Sequence, residues 1–268
     1  MTECVGSFFR RAVLAACLTL LAAPASHAQE ALKTPPPTSM DFMTRFDFHM
    51  SAAGLSSEDP RFSWDTHWGG DFDFLDYVIG RFSFLADYEA VLGKENRLFD
   101  PNQGNYTLEV SGSARIKQFE LVGVLHHVSR HLSDRPNRVA VAYNAVELRA
   151  LGRHAFGKTT IAGRLEGGPV VAHAYVDYTG VAFAETKLER PVSPRLTVYG
   201  TARGDFYLVD SSMYDRSDQQ GGRLEGGLRI RGKAGALDLF GGWERIVDAY
   251  PLDLERRSWA FAGFRLVN

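Results

Sequence analysis

The sequence predicts an all-β protein, a transmembrane antiparallel up-and-down β-barrel of about twelve strands. Three observations predict it. From residue 41 onward, apolar and polar residues alternate with a period of two over segments of about ten to thirteen residues, longer than the roughly five or six of a soluble strand. The polar faces of those segments are dense in charge of both signs, as a wet interior tolerates. Aromatic residues (Trp64, Tyr88, Tyr106, Trp243 and Trp259) fall near segment ends, where interfacial girdles sit. A soluble sandwich also alternates, but its charged face would meet solvent and its apolar face a second sheet.

The first element is a leader. Arg10 and Arg11 precede the apolar run "AVLAACLTLLAAPA", and "SHA" before Gln29 supplies small residues for cleavage, so residues 1–28 read as a secretory signal peptide. "LAAC", ending at Cys17, resembles a lipoprotein signal but sits in the middle of that run, with "LTLLAAPA" still to follow. Cys4 and Cys17 both belong to the leader, so the exported chain is expected to have no disulfide and no thiol chemistry. Residues 29–40, containing "ALKTPPPTSM", form a flexible or polyproline lead-in, and the barrel is expected over 41–268.

Strands are expected near 41–51, 61–75, 80–92, 105–116, 118–129, 139–151, 158–167, 174–188, 195–208, 221–232, 236–246 and 257–267. In the first, "FMTRFDFHM" sets Phe42, Thr44, Phe46, Phe48 and Met50 against Arg45, Asp47 and His49. In the second, "FSWDTHWGGDFDF" separates Phe62, Trp64, Trp68, Phe72 and Phe74 from Asp65, His67, Asp71 and Asp73. "RFSFLADYEAVL", "NYTLEVSGSARI" and "RLTVYGTARGDFYL" alternate in the same way. "GGRLEGGLRIRG" turns Leu224, Leu228 and Ile230 one way and Arg223, Glu225, Arg229 and Arg231 the other.

Connections alternate in length. "SAAGLSSEDP", "GKENRLFDPNQG", "RHLSDRPN", "VDSSMYDRSDQQ" and "VDAYPLDLE" are long, while the joints near Lys117, "GKAG" and "ERPVSP" are shorter. Long loops outside and short periplasmic turns are the habit of bacterial outer-membrane barrels, and an even strand count with the N-terminus inside reproduces it. The ending "FRLVN" departs from the aromatic terminus of many such barrels. A formal net charge of −2 gives no support to bulk nucleic-acid binding. The expected location is therefore the outer membrane.

The stretch "HHVSRHLSDRPNRVAVAYN" (126–144) concentrates reactive side chains. One face of the fifth strand carries Phe119, Leu121, Gly123, Leu125, His127 and Ser129; the other carries Glu120, Val122, Val124, His126, Val128 and Arg130. In the sixth, Asn144, Val146 and Leu148 oppose Tyr143, Glu147 and Arg149. Charge decides the orientation: Glu120, Glu147 and Arg149 belong in the lumen, which places His127, Ser129 and Asn144 on the lipid-facing wall. A hairpin centred between Arg135 and Pro136 pairs residue 127 with 144 and residue 129 with 142, so their side chains share a face. Polar groups facing hydrocarbon are costly unless they bond one another, and a serine, a histidine and an asparagine are also the parts of a hydrolase: nucleophile, base and orienting amide.

"HVSRHLSD" resembles the His-x-Ser-x-x-x-Ser-Asp pattern of outer membrane phospholipase A, a twelve-stranded barrel family with a His–Ser–Asn triad on its outer wall and a need for calcium. The resemblance implies His127 as base, Ser129 as nucleophile and Asn144 as orienting amide, with Ser133 and Asp134 in the calcium region. It covers one hairpin of about twenty residues, and Asn144 follows Ser129 by a few residues more than in that family. Lipid A deacylases also use His-x-Ser on an outer wall, paired with Glu, but Glu147 falls on the face opposite Ser129. "HHVSRHLSDR", with "FDPNQGNYTLE" before it and "YN" after it, is also similar to a family of bacterial outer-membrane proteins with a His-x-Ser-x-His-Leu-x-Asp core, from which no activity carries over.

Two functions follow as expectations. One is a serine-dependent acyl-ester hydrolase acting on outer-leaflet phospholipid or lipid A. The other is a non-catalytic barrel, either a small-solute channel or a structural protein. Arg130, Arg135 and Arg138 crowd one outer loop and suit lipopolysaccharide or lipid phosphate, or simply solvation. His126 and His131 raise the question of a metal, but His126 faces the lumen, where a hydrogen bond suffices, and no His-Glu-x-x-His spacing occurs. "FDPNQGN" offers oxygen ligands for calcium or, alternatively, a turn-rich loop. Luminal Arg164, Glu166, Arg203, Asp205, Glu225 and Arg229 either line a channel or form an ion-paired plug. Calcium is the one cofactor implied, the partners are outer-membrane lipid and lipopolysaccharide, and homodimerisation is left open.

Overall fold

A sheet of strands with one dry and one wet face has exposed edges unless it closes on itself. This one closes. The computed structural model describes residues 37–132 and 140–268. Its twelve antiparallel strands are β1 (Asp41–Leu55), β2 (Trp64–Asp76), β3 (Arg81–Gly93), β4 (Asp100–Ile116), β5 (Phe119–Leu132), β6 (Ala140–Phe156), β7 (Thr159–Ala174), β8 (Tyr178–Pro191), β9 (Leu196–Val209), β10 (Gln219–Arg231), β11 (Ala236–Ile246) and β12 (Arg257–Val267). Each pairs with its sequence neighbours, and β1 seals the barrel against β12 from His49↔Val267 to Leu55↔Phe261. A single turn of helix, α1 (Ser211–Tyr214), sits in the β9–β10 connection, capped at its start by the Asp210 carboxylate on the Ser212 amide. The leader over 1–28 and residues 29–36 of the lead-in lie outside the described residues, as do Ser133, Asp134, Arg135 and Arg138.

The outer wall is apolar: Leu125, Val146, Leu148, Leu224 and Leu239 are all exposed there. The wall is dry enough to face acyl chains, and no sheet edge is left open to them. The interior is ionic. Arg81, fully buried, donates to Asp73 and, through Nε and Nη2, to Glu120 at 2.8 and 2.9 Å. Arg149, also fully buried, joins Glu109 at 2.5 Å to Glu166 at 2.7 Å. Arg265 forks onto Glu225 at 3.0 Å, and Arg229 onto Asp238 at 2.7 and 2.8 Å. Arg164 pairs with Glu166 and Arg203 with Asp205. Most of the luminal charges thus neutralise one another in ion pairs.

The outer mouth is tied across. Arg130, inward on β5, donates to the carbonyls of Asp248 (2.5 Å) and Ala249 (2.8 Å) in the β11–β12 loop, six strands away around the barrel. Arg216 grips Asp177 and Asp248, both buried, and Phe62, Val91, Ala249 and Trp259 pack beneath.

Three expectations change here. Trp259 is not a girdle residue; it points inward and its indole N–H donates to Glu244 at 2.6 Å. Phe62 precedes β2 and is buried against that indole, with ring centres 5.1 Å apart. "FDPNQGN" is neither a turn-rich loop nor an open calcium loop, because β4 already begins at Asp100. Asn102 and Gln103 donate to the carbonyls of Arg61 and Ala249, so contacts with two outer loops hold this polar stretch extended.

Candidate active site

The β5–β6 register is the one the sequence specifies, with His127 opposite Asn144 and Ser129 opposite Ala142. Alternation then puts residues 119 to 131 of odd number on the outer wall and Glu120, Val122, Val124 and His126 inside. Leu125, one step below His127 on that wall, is 59% exposed, whereas Glu147 on the inner face is 3% exposed. The hairpin is turned outward.

On that wall His127 Nδ1–H donates to Asn144 Oδ1 at 2.8 Å. The carbonyl oxygen can only accept, so it fixes the imidazole with its proton on Nδ1 and leaves Nε2 with a lone pair. The β6–β7 register shifts by one residue between Asn144 and Ala145, a bulge placed where the amide must be aimed.

Ser129, mostly buried, does not bond His127. Its hydroxyl shares a 2.6 Å hydrogen bond with Nε2 of His131, the next outward residue along β5. Ser129 is therefore flanked on one strand by two imidazoles, each two residues away. His131 is held in turn by Tyr106, which lies opposite Ser129 on β4, with rings edge to face at 5.5 Å. Tyr106 continues a line of outer-wall aromatics through Tyr88 at 5.0 Å to Trp68 at 6.0 Å. Such a line is a girdle, and it sets Ser129 at the depth where headgroups meet chains.

The sequence therefore brings His127 to Asn144 and places Ser129 beside them, but it missed His131 as the serine's partner. Its odd number on an outward odd-numbered face was the available signal. Arg130, offered as a lipid-phosphate ligand, is spent inside on loop carbonyls and on Gln103 Oε1 at 3.0 Å, because its even number turns it into the lumen. Arg135, Arg138, Ser133 and Asp134 lie outside the described residues. His126 Nδ1 bonds Glu147 at 2.9 Å in the lumen, the hydrogen-bonding role expected of it.

The closed twelve-stranded barrel with its apolar outer wall is the fold of bacterial outer-membrane proteins. It is similar to the outer membrane phospholipase (OMPLA) dimer of Salmonella typhi with bound calcium, with a TM-score of 0.52 at 8% identity over 87% of this chain and 94% of that one. Outer membrane phospholipase A from Escherichia coli matches with a TM-score of 0.53 at 9% identity, over 85% of this chain and 98% of that one. An active-site asparagine-to-alanine mutant of the Escherichia coli protein matches with a TM-score of 0.52 at 9% identity, over 88% and 95% of the two chains. No protein-family model and no curated relative matches the sequence. At these identities the likeness is one of fold.

Proposed function

We propose that this chain is an exported outer-membrane enzyme, a serine-dependent acyl-ester hydrolase of outer-leaflet phospholipid or lipid A. The observation that carries the reading is the 2.8 Å bond from His127 to Asn144 on the outer wall, beside Ser129. Three uncharged polar side chains facing hydrocarbon are expensive unless paired, and here the pairing also builds a base with its lone pair available.

In the reaction, Ser129 Oγ attacks the ester carbonyl as His127 Nε2 takes its proton. The imidazolium, held by Asn144, then protonates the leaving alcohol, and water repeats the sequence on the acyl-enzyme. The serine must first exchange His131 for His127, a rotation about its Cα–Cβ bond. The step from 129 to 127 along the strand equals the step from 129 to 131, which the serine already bridges at 2.6 Å. The oxyanion hole this chemistry needs would come from backbone N–H groups. That bond to His131 also favours a second reading, in which His131 is the base and His127–Asn144 positions the substrate.

Calcium and a dimer, both present in the Salmonella typhi structure, come to this chain as expectations, with Ser133 and Asp134 as the residues to test for the ion. Purified barrel in mixed micelles should hydrolyse phospholipid or lipid A, lose that activity to chelator, and lose it by about a thousandfold or more in Ser129→Ala. Asn144→Ala should cost roughly tenfold to a hundredfold, because the correct tautomer is still accessible without it. His127→Ala and His131→Ala separate the two bases. Hydrolysis indifferent to Ser129 would remove this reading, and no hydrolysis at all would leave the non-catalytic barrel.

A further inference from the structure

Most luminal carboxylates are matched to an arginine; a group on β2, β3 and β4 is not. Asp65 and His67 point inward from β2, Glu89 from β3 and Asn105 from β4, and the register sets His67 opposite Glu89 and Glu89 opposite Asn105. One donor atom from each of Asp65, His67 and Glu89 lies within 4.8 Å of the other two. With Asn105 they line a luminal cavity of about 280 Å³. The arginines facing this group form their ion pairs elsewhere: Arg203 with Asp205, Arg164 with Glu166 and Arg223 with Glu225 and Glu244, while Arg130 is held by the outer loop.

Two oxygens of this group have no hydrogen-bond partner. They are Asp65 Oδ1 and Asn105 Oδ1, on residues only 8% and 5% exposed. A buried oxygen left in that condition is costly, and two on one cavity wall ask for a common partner. Asn105 is aimed at the group, since its amide N–H₂ donates to Glu89 at 2.7 Å and leaves its carbonyl oxygen over.

The histidine is set as a ligand would be. His67 Nδ1 bonds Asp87 at 2.7 Å, a further luminal carboxylate that orients the ring. Asp87 also takes a 2.7 Å bond from His49 Nε2. Gly69 makes room for this, since a Cβ there would stand 2.5 Å from the Asp87 carboxylate and 2.6 Å from the His49 ring. His67 Nε2 lies 3.3 Å from Asp65 Oδ2, a spacing that a proton on the ring bridges as a hydrogen bond and that a metal ion displacing that proton would bridge as two ligands. Two ligands on a tetrahedral ion with bonds of about 2.0–2.1 Å sit roughly 3.3 Å apart.

We propose that Asp65, His67 and Glu89, joined by the Asn105 carbonyl, bind a first-row divalent transition-metal ion inside the barrel, with zinc as the reference ion. The imidazole nitrogen selects against calcium and magnesium, which prefer all-oxygen shells. The ion would tie three adjacent strands together.

The test is cobalt titration of chelator-treated, refolded barrel. Wild type should develop visible ligand-field bands that saturate at one cobalt per chain and vanish on adding zinc, and zinc should raise its melting temperature. Glu89→Gln, nearly isosteric, should weaken cobalt binding about tenfold or more, and Asp65→Asn/Glu89→Gln should abolish both bands and melting shift. His131→Ala, on the outer wall, should leave them unchanged. Absent bands in wild type, bands unaltered in the double variant, or loss with His131→Ala would each overturn the site. In the first case a protonated His67 takes the cation's place between Asp65 and Asp87. If the double variant fails to fold, the Glu89→Gln titration decides.

Discussion

Leu148 and Arg149 are neighbours on β6 and live in different solvents. Leu148 is 63% exposed on the outer wall and Arg149 is completely buried in the lumen. A period of two assigns successive side chains to acyl chains and to an ionic interior. Polar groups are managed differently on the two sides. Inside they are many, charged and mutually neutralised. At the β5–β6 site outside they are few and bonded in pairs, His127 to Asn144 and Ser129 to His131. Water and counter-charge can rescue an error inside, but hydrocarbon offers an unpaired group nothing. A cluster of polar residues on the outer wall therefore invites a functional explanation that the same cluster in the lumen would not.

The comparison breaks most visibly at Arg149. Its guanidinium is shared by Glu109 and Glu166 at 2.5 and 2.7 Å, so Arg149→Ala leaves two buried carboxylates to share the single charge of Arg164. The expected loss is about 3–5 kcal/mol, because stranded charge costs more than the pair was worth. Urea unfolding of the barrel in lipid measures it. A loss under about 1 kcal/mol would mean that luminal water, not arginine, solvates those carboxylates.

The second effect is the reverse substitution on the neighbouring residue. Leu148→Arg puts a charge among acyl chains and should cost about 2–4 kcal/mol, falling toward zero if the residue sits near an interface. The same unfolding assay reads it, and a depth series along β5 (Leu121, Leu125, then Ser129) sharpens it. The cost should decline from the middle of the wall toward Ser129, where the aromatic line of Trp68, Tyr88 and Tyr106 marks the headgroup boundary. A flat series would place the active-site candidate at the wrong depth for an ester.

The sequence carried the two solvents well, because alternation is local. It made the barrel, its strand count, the β5–β6 register and the outward turn of His127 and Ser129 legible. It did not carry what depends on side-chain rotamers or on distant strands. His127 and His131 share a face and a distance from Ser129, so no pattern decides which of them the hydroxyl meets. Trp259 was misplaced because an aromatic near a strand end serves a girdle or a mouth equally well. The luminal group of Asp65, His67 and Glu89 was hidden by a bulge. Counting out from the β2–β3 turn, where Asp76 pairs Arg81, sets His67 against Ala90, but the register shifts between Asp73 and Leu75 and brings Glu89 opposite instead.

The smallest effect lies outside both walls, in the β1–β2 loop. Asp59 accepts from the Arg61 guanidinium at 2.8 Å and from its backbone N–H at 3.0 Å, and lies 2.9 Å from Arg257 at the start of β12. The hydrogen bonds from Arg61, helped by the charge of Arg257, hold its carboxyl below the ordinary carboxylate range. A depressed folded pKa means the unfolded chain binds the proton more readily. The contribution is therefore fully present above the unfolded value, and is lost as pH falls through the folded one. Because the pairs are near solvent, it should amount to about 0.2–1 kcal/mol and shrink in salt. Asp59→Asn should flatten the acid limb of the stability profile by that amount while leaving stability at neutral pH lower by the same small margin. An acid limb unchanged by the substitution would assign it instead to the luminal carboxylates, and would extend the inner wall's control of stability up to the mouth of the barrel.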